Sequence, residues 1–146
     1  MSATNAFETA LLALYFNNTD HANVGDAAGV QNSATAGSFY ISLHTADPGE
    51  TGTQTTSEAT YTSYARVAVA RSGAGWTVSG NNASNAAAVN FPACTGGTNT
   101  ITHFGIGSDV SGAGNLFFKG ALSASLAVSS GITPSFAIGD LDVNLD

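Results

Sequence analysis

The sequence predicts a mainly β protein: an antiparallel β-sandwich or small barrel with one short N-terminal helix and a long irregular arm. Three observations lead there. Phe39, Ile41 and Leu43 alternate with Tyr40, Ser42 and His44, the period-two pattern of a strand with one face buried. Strand-like runs then recur at short spacing, separated by turns such as Ser72-Gly73-Ala74-Gly75 and Thr95-Gly96-Gly97, as in sandwiches and barrels. Helical periodicity is convincing only near the N-terminus.

There, Asn5 can cap a helix, with Glu8 at the capping-box position three residues on. Phe7, Leu11, Leu14 and Tyr15 form its apolar stripe and Asn17-Asn18 end it. Such a stripe must dock either on this chain's own sheet or on a neighbouring subunit. Residues 19–37 turn to Asn, Gly, Ala, Ser and Asp with almost no bulky side chains. This arm is longer than compact domains use between elements, and it is expected to order only against a partner. The organisation expected is therefore a helix-and-arm section over 1–37 followed by a β-sandwich-like domain over 38–146.

The opening strand runs into Asp47-Pro48-Gly49. Pro48 fixes φ, the Asp47 carboxylate can cap the turn, and Gly49 tolerates positive φ. A Thr-rich loop follows over 51–62, without a large apolar residue before Tyr61. Further strands are expected at 64–71, 76–79, 86–91, 100–106, 115–122, 125–128, 133–138 and 141–145. Leu116, Phe118 and Leu122 share one face, and Leu141, Val143 and Leu145 share another.

Charge is the unusual quantity. Asp, Glu, Lys and Arg make up 9% of the 146 residues, against about 25% in a typical domain. Ser, Thr, Asn and Gly supply the polarity instead, and neutral groups cost less to desolvate when another subunit covers them. The surface therefore suits assembly. Three cations, Arg66, Arg71 and Lys119, against a net charge of −7 cannot form the basic face that nucleic acid or an anionic membrane requires. Cys94 is the only cysteine, so an intrachain disulfide is impossible and an inert structural thiol is expected. The N-terminus has no basic region or cleavage motif, and FETALLALYF is too short to span a bilayer.

Candidate chemistry is sparse. His21, His44 and His103 are the three imidazoles, spaced too widely for a local zinc motif; hydrogen-bonded structural roles are expected. Asp140 and Asp142 could face outward on one strand, a spacing any such pair meets trivially. Asp146 adds a carboxylate at the chain end. Gly105-Ile106-Gly107 lacks the third glycine of a nucleotide fingerprint, and reads as a strand end that must bend or approach another backbone closely. No G-x-S-x-G elbow supports acyl transfer. Arg66 and Arg71 bracket YARVAVAR and are read either as surface ion pairs or as intersubunit contacts. Trp76 and the four tyrosines could make a sugar platform, though Trp76 alternates with Val78 in a short strand and fits a core better.

The segments FETALLALYF, FYISLHTADPGETG, YARVAVA, Phe91-Pro92, ITHFGIGSDVSGAGNLFFKGAL and GDLDVNLD together resemble a family of small β-rich phage virion proteins. Its members are often labelled tail-fibre proteins and are also met as capsid decoration, or cement, proteins. The resemblance spans most of the chain except the 19–37 arm. It implies a β-sandwich-like homo-oligomer, commonly a trimer, located in the virion and assembled in the host cytoplasm, with the major capsid protein or tail proteins as partners. The function expected is non-enzymatic: capsid decoration that stabilises the head by bridging its subunits. The alternative is a tail-associated or tail-fibre component, or an adhesin for host glycans. A hydrolase would need two carboxylates in a cleft. No catalytic, cofactor-binding or metal-binding residue is assigned, and no cofactor is expected. The candidate interface residues are Phe7, Leu11, Leu14, Arg66 and Arg71.

Overall fold

The structure is a computed structural model and describes residues 2–26 and 28–145. Its elements are α1 (Asn5–Asn17), β1 (Ser38–His44), β2 (Val67–Ala70), β3 (Trp76–Ser79), β4 (Asn82–Asn85), β5 (Val89–Asn90), β6 (Asn99–Gly107), β7 (Leu116–Val128), β8 (Ser135–Phe136) and β9 (Asp142–Asn144). The fold is mainly β, as expected, with antiparallel sheets that do not close into a barrel among the described residues. Two compact units are interleaved in sequence. The β1 unit holds Phe39–Val69 and Val89–Ser135; the helix unit holds Ala70–Ala88 with the described parts of 1–38 and 136–146. The helix and arm, expected as a section of their own, thus share a unit with β3, β4 and β9.

In the β1 unit the strand order is β2-β1-β6-β7. β1 is central, in register with β6 from Tyr40↔Gly107 to His44↔His103. Its residues Phe39, Ile41 and Leu43 join Ile101, Phe104, Ile106 and Val128 in the core. The alternate face departs from expectation, because Ser42 and His44 are also fully buried. The Thr-rich loop covers them: Thr45 N donates to Ser57 O and Ala59 N to Leu43 O, each at 2.8 Å. Gln54, itself buried, accepts from Asp109 N at 2.9 Å, and its own backbone N–H donates to Ala113 O at 2.8 Å. β1 is therefore apolar on one side and polar but hydrogen-bonded on the other, which is how a buried polar layer avoids its desolvation penalty. The turn after β1 is the expected one. Gly49 N donates to Asp47 Oδ1 at 2.9 Å, and Gly49 has φ +73°.

That polar layer explains Gly105 and Gly107 of β6. A Cβ on Gly105 would lie 2.6 Å from Leu116 Cδ1, 2.7 Å from Ser42 Oγ and 2.8 Å from His44 Nε2. On Gly107 it would lie 2.2 Å from Gln54 Cδ and 2.5 Å from Asn115 O. The pair does make a close approach, but mostly to side chains, with Asn115 O the one backbone atom among the nearest, rather than to another backbone as expected. Gly105→Ala and Gly107→Ala are each expected to cost about 1–3 kcal/mol through overpacking, with Gly107→Ala the worse because a backbone carbonyl obstructs it. Urea unfolding reads the effect, and a loss within about 0.5 kcal/mol at both would show that the seam yields.

β7 merges the two runs expected at 115–122 and 125–128. A register shift between Ile101↔Leu126 and His103↔Ala121 takes up the extra residues as a bulge, which bends the edge strand.

In the helix unit the sheet order is β3-β4-β9. β4, with the sequence NASN, lies between the runs expected at 76–79 and 86–91 and was not among the expected strands. Asn has low strand propensity, but Asn85 is fastened on every side. Its Nδ2 donates to Ala87 O and Ala137 O, both at 2.8 Å, and its Oδ1 accepts from Leu141 N at 2.9 Å. Pairing with β3 and β9 overrides propensity. Leu12, Phe16, Trp76, Ala83, Leu141 and Val143 form the core here, with the Phe16 and Trp76 rings edge-on at 4.6 Å.

The helix has the expected length but a different cap and a different inner face. Thr4, not Asn5, is the N-cap, accepting from Phe7 N at 3.4 Å; this leaves Glu8 one position beyond the capping box. The buried residues are Glu8, Leu12 and Phe16, spaced i, i+4, i+8 against β3 and β4. The expected stripe faces away: Phe7 is 47% exposed and Tyr15 43%, with Leu11 and Leu14 half-buried. Asn18 closes the helix in the left-handed conformation, φ 53°, as expected of Asn17-Asn18.

The arm was expected to lack order on its own; instead it is folded by polar side chains bonding to backbone. His21 and Val30 form an antiparallel bridge. Asn18 donates to Ser33 O at 2.8 Å and accepts from Ser33 N at 3.0 Å. Asn32 Nδ2 donates to Asn18 O at 2.9 Å, and Asn32 N to Asp20 Oδ1 at 2.7 Å.

Candidate functional site

The chemistry-bearing side chains of the β1 unit converge on β1. His44 Nδ1 donates to Thr56 O at 2.8 Å, so in the neutral ring Nε2 accepts from Ser42 Oγ, also at 2.8 Å. Burial pushes the His44 pKa below its ordinary 6.5, partly offset by the Thr56 carbonyl and Glu58. Ser42 and His44 superficially form a nucleophile–base pair, but both are fully buried and the third member is a carbonyl. The pair holds the Thr-rich loop.

The sign of the His44 shift gives a pH dependence. The unfolded chain binds the proton more readily, so this contribution is complete above about pH 6.5 and is lost as pH falls toward the lower folded pKa. One group limits the slope to about 1.4 kcal/mol per pH unit. Urea midpoints measured across that window are expected to fall, and His44→Gln is expected to flatten that part of the curve. An unchanged slope in the variant would contradict the assignment.

Next to this pair, Arg66 Nε donates to Glu58 Oε1 at 2.7 Å and Nη2 to Glu58 Oε2 at 2.8 Å. Its other donors reach Asp109 O at 2.8 Å and Gly112 O at 2.7 Å. Tyr64 OH donates to Glu58 Oε1 at 2.9 Å and accepts from Leu43 N at 3.0 Å; burial drives its pKa far up. With its side chain 2% exposed, Arg66 makes an internal bidentate pair, neither the surface pair nor the intersubunit contact expected of it. At the surface, Lys119 Nζ lies 3.0 Å from Asp47 Oδ1 and 3.2 Å from Glu50 Oε1. The Gly49 N–H and then Lys119 hold the Asp47 pKa below its usual value.

The carboxylates are tied to local structure. Asp140 precedes β9 and accepts from Ala137 N at 2.8 Å, whereas Asp142 accepts from Asn82 Nδ2 at 2.6 Å. The pair does not share one strand face, and Asp146 lies outside the described residues. His44 and His103 are cross-strand partners, while His21 belongs to the helix unit. Among the described residues no group of His, Cys, Asp and Glu could hold a metal. Nor is any helix there long and apolar enough to cross a membrane.

The helix unit offers a different kind of surface. The sole charged residue of α1, Glu8, faces inward, leaving Phe7, Leu11, Leu14 and Tyr15 on an outward side that carries no charge. The Phe7 ring meets His21 of the arm at 5.5 Å. At the C-terminal end, Arg71 Nε donates to Tyr15 O, Nη2 to Leu14 O at 2.9 Å and Nη1 to Ala36 O at 3.1 Å. A cation there satisfies the last carbonyls and the negative end of the helix dipole. The same guanidinium, with Leu14, Tyr15, Gln31, Asn32 and Ser33, lines a pocket of about 190 Å³.

Of the candidate interface residues, Leu14 and Arg71 meet at this pocket, Phe7 and Leu11 lie along the outward helix side, and Arg66 is interior to the other unit. Trp76 is core. The pocket was missed because one of its walls is the arm, whose fold rests on bonds between residues 12 to 15 positions apart with no local sequence signature.

The family model described as Podophage GP4 fiber I protein gp80 matches residues 2–144. No curated protein matches the chain.

Proposed function

The chain belongs to the family described as Podophage GP4 fiber I protein gp80, a family of small phage virion proteins, and from that premise we propose that it is a non-enzymatic structural component of a phage tail fibre. The observation that carries this reading is the family match over residues 2–144. The chemistry agrees with it: the Ser42–His44 pair is sealed inside the β1 unit, and each interior polar cluster described above holds a loop in place. Capsid decoration, the position expected first, draws on the same charge-poor surface, but the family description supports the fibre.

Assembly proceeds through the Phe7 and Leu11 part of the outward side of α1. A helix apolar all round belongs in an interior, and within its unit the Leu12 and Phe16 side is fully buried while Leu11 is half-buried and Phe7 exposed. A second copy of the chain is the partner. Copies of net charge −7 repel one another over most of their surface, and the uncharged strip around Phe7 and Leu11 is where they can approach. Phe7→Ala/Leu11→Ala is expected to stay folded by circular dichroism. Its self-association by sedimentation should weaken at least about tenfold, the effect of roughly 1.4 kcal/mol, and its incorporation into particles should fall in parallel. Unchanged association and incorporation would sink this surface, and simple unfolding would assign the strip to the chain's own core.

A further inference from the structure

We propose that the pocket at the C-terminal end of α1 binds a single neutral pyranose ring, the class of ligand presented by polysaccharides, with Tyr15 as its stacking surface. Four features of the pocket lead to this ligand.

The first is size. About 190 Å³ is below the roughly 300–1,000 Å³ of drug-sized sites, so the pocket suits a ligand of about one ring. The second is the aromatic wall. Tyr15 is 43% exposed, whereas Trp76 and Phe16 are fully buried, and an aromatic face packs against the C–H face of a pyranose. The third is the polar wall. Gln31, Asn32 and Ser33 supply amides and a hydroxyl, groups that both donate and accept and so match sugar hydroxyls.

The fourth is charge and rigidity. Among the described residues no carboxylate lines the pocket. Arg71 directs its Nε, Nη1 and Nη2 donors to Tyr15 O, Ala36 O and Leu14 O, so it braces the wall. The Asn18–Ser33 pair of bonds and the Asn32 bonds to Asn18 and Asp20 fix the opposite side. A site pre-formed in this way spends little on ordering when a ligand arrives. The Phe7–Leu11 strip proposed for assembly does not line the pocket. The inference does not rest on the fibre reading, since binding is read on the isolated chain and particle location separately.

The test is an amide chemical-shift titration of the full chain with methyl glucopyranoside, methyl galactopyranoside, N-acetylglucosamine, an oligosaccharide of each, mannitol and inorganic phosphate. At least one pyranoside is expected to bind saturably, with a dissociation constant of order 1 mM for a ligand this small, and to shift residues 14–15 and 31–33. Oligosaccharides that bind more tightly than the simple glycoside would identify a polymer as the source, and equal affinity a terminal or free sugar. Tyr15→Ala should weaken binding about tenfold, Tyr15→Phe should retain most of it, and Ser33→Ala should weaken it several-fold without touching the helix. No saturable shift with any pyranoside overturns the proposal. So does equal binding by folded Tyr15→Ala, equal binding by mannitol, or a response to phosphate alone.

Discussion

Arg66→Met is expected to destabilise the protein by about 3 kcal/mol, near the lower end of the roughly 3–5 kcal/mol lost when one partner of a buried pair is removed. The substitution leaves the Glu58 carboxylate and the Asp109 and Gly112 carbonyls without their guanidinium donors. The lower end applies because Glu58 keeps the Tyr64 hydroxyl as a donor and its side chain retains 15% exposure. Glu58→Gln in the Arg66→Met background should recover part of the loss, because the stranded charge is then gone. Urea unfolding of the two single variants and the double variant gives the coupling, expected above about 1 kcal/mol for a shared network. A loss under about 1 kcal/mol for Arg66→Met would mark the pair as an ordinary surface bridge.

Trp76→Ala should cost about 3–5 kcal/mol, the range for emptying a buried aromatic site, out of a total that for natural domains is about 5–15 kcal/mol. Trp76 is fully buried, sits 4.6 Å from the Phe16 ring, and lies on the strand against which α1 packs. Trp76→Phe should cost less, because it keeps an aromatic edge at Phe16. Trp76 is also the only tryptophan, so its fluorescence in Gly105→Ala, Gly107→Ala or Arg66→Met follows the helix unit while circular dichroism follows the whole chain. A Trp76→Ala variant with nearly wild-type stability would show that α1 is not anchored by this ring.

What could be read from the sequence followed physical signals that are local. The alternation of β1 and its Asp47-Pro48-Gly49 turn are fixed by neighbours within a few residues, and so was the end of α1 at Asn17-Asn18. The lone G-x-G in β6 could be read because glycine inside a strand signals close approach, and Ser42, His44 and Gln54 are what it approaches. Signals that depend on distant residues failed. The helix has apolar residues on both sides, so periodicity alone could not separate the Leu12–Phe16 face from the Phe7–Leu11 one. The NASN strand exists through its partners and the clamped Asn85. Arg66 read as a surface residue because nothing in YARVAVAR announces that Glu58, Asp109 and Gly112 converge on it. The arm looked formless for the same reason, and with it the pocket was hidden.

These features share a logic. Few charges are available, so the chain uses carbonyls, amides and hydroxyls to pin its loops: Asn18 and Asn32 in the arm, Gln54 and His44 beside β1, Asn85 beside β9. One cation closes the helix and another ties a loop to β1's neighbours. The loops are thus held mainly by neutral groups, and the exposed Phe7 and half-buried Leu11 side of α1 carries no charge.

The central claim, that this chain is a structural part of the tail fibre, is tested most directly by dissociating purified particles into heads and tails and quantifying the chain in each by mass spectrometry. The account predicts that it partitions with the tails, in a fixed copy number, and is absent from tail-free heads. Recovery with heads stripped of tails, or absence from the particle altogether, would contradict it.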